Sequence, residues 1–519
     1  MAANNKRPIL DVHGKPYNRT AMILVLLVGT FAGMLMQTSL GTAIPTLMTS
    51  FDINLGTAQQ ATTWFLLANG IMVPVSAFLV TRISSKWLYW IAYTILFAGM
   101  AISAFTPARN DMWIMFLVGR MLAAIAVGIT MPLMQVIMVN IFPAEERGAA
   151  MGLNGLVIGL APAIGPTLSG WILDKNHHIF GLLISDSWRT IFYLPMAVLI
   201  VVWILTPFLV KDVLPNRKMK LDISSLILSA VGFGIFLWGF TNVSSDGWGD
   251  MKTVILPILF GVIVIIGFVL RQLKMDDPFM DVRVFKNKQF TMTTLSVMMA
   301  MMAMMGVEMM LPTYLQNVHG LSPLDSGLML LPGALMLGLV SPIAGAVYDR
   351  VGARRLAMVG FTILAIGTLP FMFLSSSTPD VFITLLYALR MFGIAMAMMP
   401  LTASAMSAVP QEEAAHATAS NNTARQVASA VVVALLASVT QDIINNNEPA
   451  KHLQVTNPLA YANDYLQASM KGFHVSFGLG FGFAVLGIIF AMFLRKGKLI
   501  AGSTNSKRVD HEEVEMEAK

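Results

Sequence analysis

Cysteine is absent from the 519 residues, which excludes disulfides, thiolate metal sites and thiol catalysis. Charge is scarce: Asp, Glu, Lys and Arg make up 12% of the chain, where a soluble domain carries about 25%. No phosphate-cradling loop of the G-x-x-x-x-G-K-[ST] type occurs, and no soluble stretch is long enough to house one. What fills the sequence is apolar, 56% of the residues. It falls into runs of about 20 residues, the length a helix needs to cross a hydrocarbon core about 30 Å thick. One soluble core cannot absorb so much apolar surface. The chain reads as an all-α polytopic membrane protein, and a soluble enzyme is excluded.

The net charge of +6 does not point to nucleic acid, because the basic residues sit in loops between apolar runs. Fourteen transmembrane helices are expected, at roughly 20–48, 59–80, 87–106, 112–140, 148–173, 188–210, 222–241, 252–272, 290–316, 325–348, 354–376, 379–407, 415–441 and 472–495. The first run is too long for a signal-peptide core and lacks a small-residue cleavage site, so it is expected to stay as the first span. Twenty-five of the 34 Lys and Arg then fall on one set of loops and tails, six on the other, and Arg120, Arg390 and Arg425 within spans. The positive-inside rule puts both termini in the cytoplasm.

The chain repeats itself. Arg120-Met121 with Pro132-Leu133 returns as Arg390-Met391 with Pro400-Leu401. Phe142-Pro143-Ala144-Glu145-Glu146 returns as Val409-Pro410-Gln411-Glu412-Glu413, and Arg82 corresponds to Arg350. The offsets are 270, 267 and 268 residues. The implied layout is 6+2+6: a cytoplasmic tail (1–19), a six-helix bundle (20–210), an inserted helix pair with its linkers (211–289), a second six-helix bundle (290–495) and a cytoplasmic tail (496–519). Parallel six-helix repeats with substrate at their interface are a transporter plan, working by rocking of one half against the other.

Gly345-x-x-x-Asp349-Arg350-x-Gly352-x-Arg354-Arg355 resembles the loop signature of the major facilitator superfamily. The stretch from Gly159 through Pro162, Gly165 and Pro166 to Gly170 looks like that family's fifth-helix antiporter motif. With Arg120, Ser187-Trp188-Arg189 and the helix count, the chain resembles the 14-span drug/proton antiporter branch, the EmrB/QacA type. The resemblance implies proton-coupled export of amphipathic or cationic drug-like compounds across the cell membrane, by a monomer, with no cofactor beyond the proton gradient. Three departures stand out. The first-half loop copy, Ala77 to Lys86, lacks the Asp and the first Gly; Met36-Gln37 stands where the first helix usually carries an Asp; Ala123 replaces a Gln after the helix-4 Arg.

Glu308 is the one acidic residue well inside an expected span. An intramembrane carboxylate is costly and is by default a functional residue; a group of this kind can take a proton on one side and release it on the other. Residues 298–310 contain eight methionines, and Met301, Met304, Met305 and Glu308 share one helical face. Such a face suits promiscuous binding and equally serves as lipid-facing filler. Pro312, Tyr314 and Gln316 follow, giving a kink and polar groups. In the family fold, helices 1 and 4 of each half line the central cavity; here those carry Gln37 with Thr38, Arg120, Glu308 and Arg390. Arg120 is expected to stabilise ionised Glu308 in one conformation and withdraw in the other.

Gly148, Gly152, Gly155 and Gly159 form one smooth stripe on the fifth span, permitting close helix contact, and Pro162 and Pro166 bend it. The resemblance gives this helix a gating role. In the Asp349 loop, Gly352 permits a tight turn, Asp349 is suited to cap a helix N-terminus, and Arg350, Arg354 and Arg355 hold the loop on the cytoplasmic side. Arg425 with Asn421, Asn422 and Gln426 reads as an inter-helix hydrogen-bond cluster or a substrate contact. His177-His178 lacks further metal ligands, and no metal site is expected. Segment 442–471 reads as a small external element or a connector. Export of a native metabolite (a lipid, fatty acid, peptide or amino acid) fits the same coupling, and a non-transporting scaffold or sensor is the alternative of another class.

Overall fold

The computed structural model describes residues 11–142, 161, 164–179, 182–214, 222–275, 278, 282–409, 414–450 and 452–494. Among them, twelve helices are long and apolar enough to cross a membrane. In chain order the helices are α1 (Arg19–Thr38), α2 (Ile44–Phe51), α3 (Leu55–Arg82), α4 (Ser85–Phe105), α5 (Trp113–Ile141) and α6 (164–174). Then come α7 (Thr190–Leu209), α8 (Ile223–Asp246), α9 (Leu256–Lys274), α10 (Lys288–Asn317) and α11 (Pro323–Val351). The last are α12 (Ala353–Thr368), α13 (Asp380–Ser407), α14 (Ala414–Asn446), α15 (His452–Thr456) and α16 (Pro458–Met492). A two-stranded antiparallel hairpin, β1 (His177–Ile179) with β2 (Leu182–Ile184), is the sole sheet among the described residues. Six helix starts are fixed by a side chain accepting a backbone N–H: Asn18, Asn54, Asp222, Asn287, Ser322 and Asn457.

The twelve differ from the fourteen expected in two places. The span expected at 59–80 forms α3, an unbroken helix 28 residues long whose apolar run is diluted by Gln59, Thr62, Thr63 and Asn69, all buried. Most of the span expected at 148–173, with Gly148, Gly152, Gly155, Gly159 and Pro162, lies outside the described residues.

Two boundaries also moved. The expected first span breaks after Thr38, and Pro45 then opens α2. The 442–471 segment is mostly helical, because Asn457 and Pro458 start α16 well before the apolar run and Tyr461 stacks on Tyr465 one turn on.

Two apolar clusters fill the interior. One joins α1–α7; the other joins α10–α14 and α16 and takes in Leu66 of α3 and Leu237 of α8. Outward, α9 carries Leu259, Ile263, Ile266 and Leu270, each more than half exposed, a face that belongs in lipid. Helix α8 packs on both α3 and α14. Toward α14, Ser438 Oγ donates to the Phe240 carbonyl at 2.6 Å, and Asn445 Nδ2 to that of Ser244 at 3.0 Å.

At one end of α8–α9, Arg271 Nη2 lies 3.0 Å from Asp222 Oδ1. Burial alone pushes the Asp222 carboxyl up, but hydrogen bonds from Arg271 and Ser225 outweigh it and hold the group below the usual carboxylate range. A depressed carboxyl contributes stability above its unfolded value, near pH 4, and loses it as pH falls. The Arg271 side chain is 42% exposed, so solvent screens the pair. Arg271→Ala should therefore cost no more than about 1 kcal/mol, read as a small drop in melting temperature at neutral pH that shrinks in acid.

Candidate functional site

Glu308 sits two-thirds of the way along α10, a helix started by Asn287 and containing Pro312. Proline has no N–H, so the backbone carbonyl of Glu308, four residues earlier, loses its helical donor. The side chain is 3% exposed, and its Oε2 is buried with no hydrogen-bond partner. It is the one acidic side chain buried among the described residues. The face it shares is closed: Met301, Met304 and Met305 are each buried in the second-half cluster. Tyr314 lies deeper still, its hydroxyl donating to the Ser375 carbonyl at 3.4 Å and its ring packed on Phe473 and Phe477.

The two matching arginines behave differently. Arg390, on α13, is fully buried and tied: Nε donates to Thr368 Oγ1 at 2.8 Å and Nη2 to the Ala303 carbonyl at 2.8 Å. Its guanidinium stands over Phe371 and Tyr387. It therefore links α12 and α10, and its charge is the one that acts on Glu308. Arg120, on α5, is equally buried, yet none of its three guanidinium nitrogens has a hydrogen-bond partner. Its guanidinium carbon stands over the Phe65 ring, 4.4 Å from the ring centre. The expected approach of Arg120 to Glu308 is not present in this conformation.

Helix α3, which packs on α5 and α14, brings further polar groups inside. Oγ1 of Thr62 and Thr63, Oε1 of Gln59 and Nδ2 of Asn69 are buried and unpartnered. Gln59 Nε2 crosses to the Met309 carbonyl at 3.1 Å, next to Glu308. Sequence reasoning missed Gln59; the clue was a glutamine one turn inside an apolar span. On α14, Oδ1 of Asn421, Oγ of Ser420 and Nε of Arg425 are also unpartnered, so these three side chains are not a closed hydrogen-bond cluster.

The two halves meet through hydrogen bonds. Gln316 Nε2 reaches the Thr42 carbonyl at 2.9 Å, Leu55 N the Gln441 Oε1 at 3.0 Å, and Thr423 Oγ1 the Gly70 carbonyl at 3.2 Å. Thr38 donates to the Ala161 carbonyl at 3.2 Å, and Gly165 packs on it so closely that a Cβ there would collide. Gln37 beside it is half-buried. Pro166 accepts from Thr42 Oγ1 at 3.2 Å, and Thr167 donates to Gly327 at 3.1 Å. Gly170 faces the backbone of Pro323 with no room for a side chain. Thus α6 and α11 touch backbone to backbone across the halves.

In the α11–α12 turn, Gly352 has φ +85, a conformation glycine adopts freely. Gly345 and Arg354 are half-buried and Arg350 is exposed; the side chain of Asp349 lies outside the described residues, as do Gly155, Gly159 and Pro162.

A family model described as Major Facilitator Superfamily matches residues 26–433. The uncharacterized MFS-type transporter YcnB of Bacillus subtilis (strain 168) is 40% identical over 94% of this chain and 97% of its own length. The lincomycin resistance protein LmrB of Listeria innocua is 32% identical, over 93% of this chain and 98% of its own. Among solved structures, the partially occluded, inward-open xylose transporter XylE from E. coli superposes with a TM-score of 0.60 at 13% identity, covering 93% of this chain and 99% of that one. That likeness carries the fold alone.

Proposed function

The chain belongs to the major facilitator superfamily, as a multi-pass membrane transporter and not an enzyme, and we propose that it is a proton-coupled antiporter exporting amphipathic, drug-like compounds by alternating access. The observation that carries this is Glu308, the lone buried acid, with an oxygen that meets no donor. A permanent structural carboxylate would be matched by hydrogen bonds; one that must change protonation state is better left without them. The drug class is supported by the likeness to a protein named for lincomycin resistance.

In this reading the chain has fourteen spans in a 6+2+6 layout, α3 and the largely undescribed fifth span completing the count. Both termini are cytoplasmic, the halves run over 20–210 and 290–495, and α8–α9 belong to the insert. One apolar cluster drawn from α1–α7 and another built mainly on α10–α14 and α16 support that division. Glu308 carries the proton, Arg390 supplies the neighbouring charge, and Arg120 approaches only after the halves reorient. The α6–α11 contact and the Gly345-to-Arg354 turn act as gates. Asp349→Asn should slow cycling while leaving membrane insertion and yield unchanged, since an acid-to-helix latch is worth about 0.3–2 kcal/mol; unchanged turnover would remove the latch from the mechanism.

Sealed proteoliposomes test the whole reading. A pH gradient should drive cargo toward the acidic compartment with protons moving the other way. A protein that moves neither is a scaffold, not a pump.

A further inference from the structure

The central charges are built into opposite halves, and each lacks a full partner in its own. A guanidinium stays protonated in a protein, so fully buried Arg120 needs a counter-charge or acceptors. The first half offers neither to it: its three nitrogens are unbonded, and no acidic residue of that half is buried among the described residues. On α3, which packs against α5, the Thr62 and Thr63 hydroxyls and Nδ2 of Asn69 are buried without partners as well. In the second half, Glu308 keeps Oε2 unbonded, while Arg390, the charge acting on it, commits Nε and Nη2 to Thr368 and Ala303.

We propose that these two unmet groups form a cradle for a zwitterionic cargo, an amphipathic molecule whose polar head bears both a protonated amine and a carboxylate and whose remainder is apolar. The amine seats on Glu308. The carboxylate takes the free fork of Arg120, which matches it with two parallel hydrogen bonds. The apolar body lies between α3 and α10, whose spacing Gln59 bridges next to Glu308. A cargo bearing only positive charge would leave Arg120 unmet and be repelled by it; one bearing only negative charge would face Glu308. The inference rests on the antiport reading, because the amine and the transported proton compete for one carboxylate, and it adds a role for Arg120 that coupling alone does not require.

Three fluorescent probes separate the charges: Nε-dansyl-lysine carries both, dansylcadaverine lacks the carboxylate, and dansylaminohexanoate lacks the amine. Titrated into the detergent-purified full chain, Nε-dansyl-lysine should bind at least about tenfold tighter than either single-charge probe, the gain of one charge-assisted hydrogen-bond pair. Arg120→Gln should erase its advantage over dansylcadaverine, and Arg120→Lys should keep part of it. Equal binding of dansylcadaverine and Nε-dansyl-lysine to the native protein overturns the cradle, and that comparison needs no variant to fold. The titration uses no gradient. A native protein that prefers the zwitterion yet shows no proton-linked flux defeats the antiport reading alone; one that couples protons but ignores the carboxylate defeats the cradle alone.

Discussion

Glu308→Gln should make transport indifferent to a pH gradient: in proteoliposomes, cargo flux with the gradient imposed falls to the flux without it. Glutamine matches glutamate in shape but cannot ionise, so the substitution removes the proton site and little else. Stability points the same way. A buried carboxylate with an unbonded oxygen is a costly group to keep in the bundle, and a neutral amide in its place should leave the melting temperature unchanged or slightly raised. Most buried polar substitutions lose function by unfolding; here function should be lost in a protein at least as stable as the native one. A Gln variant that still concentrates cargo against a gradient would falsify the assignment of the proton to this residue.

Glu308 was legible in the sequence because acids inside apolar runs are rare and this one stands alone. Its surroundings were not. The pattern that pairs Arg120 with Arg390 through the repeat says only that both guanidiniums are inside; it does not say which of them turns toward α10. The structure gives that position to Arg390, bonded to the carbonyl of Ala303 on the same helix as Glu308. Helix positions were readable from run length, yet the break between α1 and α2 was hidden. There α1 ends at Thr38 and Pro45 opens a new helix inside a run that hydropathy reads as continuous. Helix α3 formed where the apolar run was expected, but its polar residues are buried, and Gln59 and the Gly70 carbonyl bond across to α10 and α14.

The closest helix contacts were also invisible in one dimension, because single glycines in helices carry no period. In the first half, α4 and α5 meet at Gly99 and Gly119: a Cβ on Gly99 would lie 2.5 Å from Ala123 N, and one on Gly119 would lie 2.7 Å from Ser103 N. In the second half, α12 and α13 repeat the arrangement. A Cβ on Gly360 would lie 2.6 Å from the Gly393 carbonyl, and one on Gly393 would lie 2.6 Å from the Gly360 carbonyl. The duplication is thus written into packing as well as motif, one residue from Arg120 and three from Arg390.

Gly393→Val should therefore yield no monodisperse protein in detergent. The obstructing atoms are backbone on both sides, so no side chain can turn away, and the helices must separate along their length. Overpacking typically costs 1–3 kcal/mol, and a wedge against two backbone atoms belongs at or above the top of that range. Separation has a second effect. Arg390 on α13 donates to Thr368 at the end of α12, so moving the two helices apart breaks the bond that aims its charge at Glu308. Gly338→Val is the matched control, since a Cβ at that helical glycine meets nothing within 4 Å, and it should melt within a few degrees of native. Gly367→Ala divides the two effects. Its Cβ would meet only Arg390, at 2.9 Å from Cγ and 3.2 Å from the backbone N, so the strain falls on that one residue rather than along the helix seam, and the fold should survive while the guanidinium shifts. If the Gly393→Val protein melts like the native one, close approach of α12 and α13 is not what holds Arg390 in place; if Gly367→Ala alone alters the gradient response, it is the position of that charge, and not helix packing at large, that sets how Glu308 handles its proton.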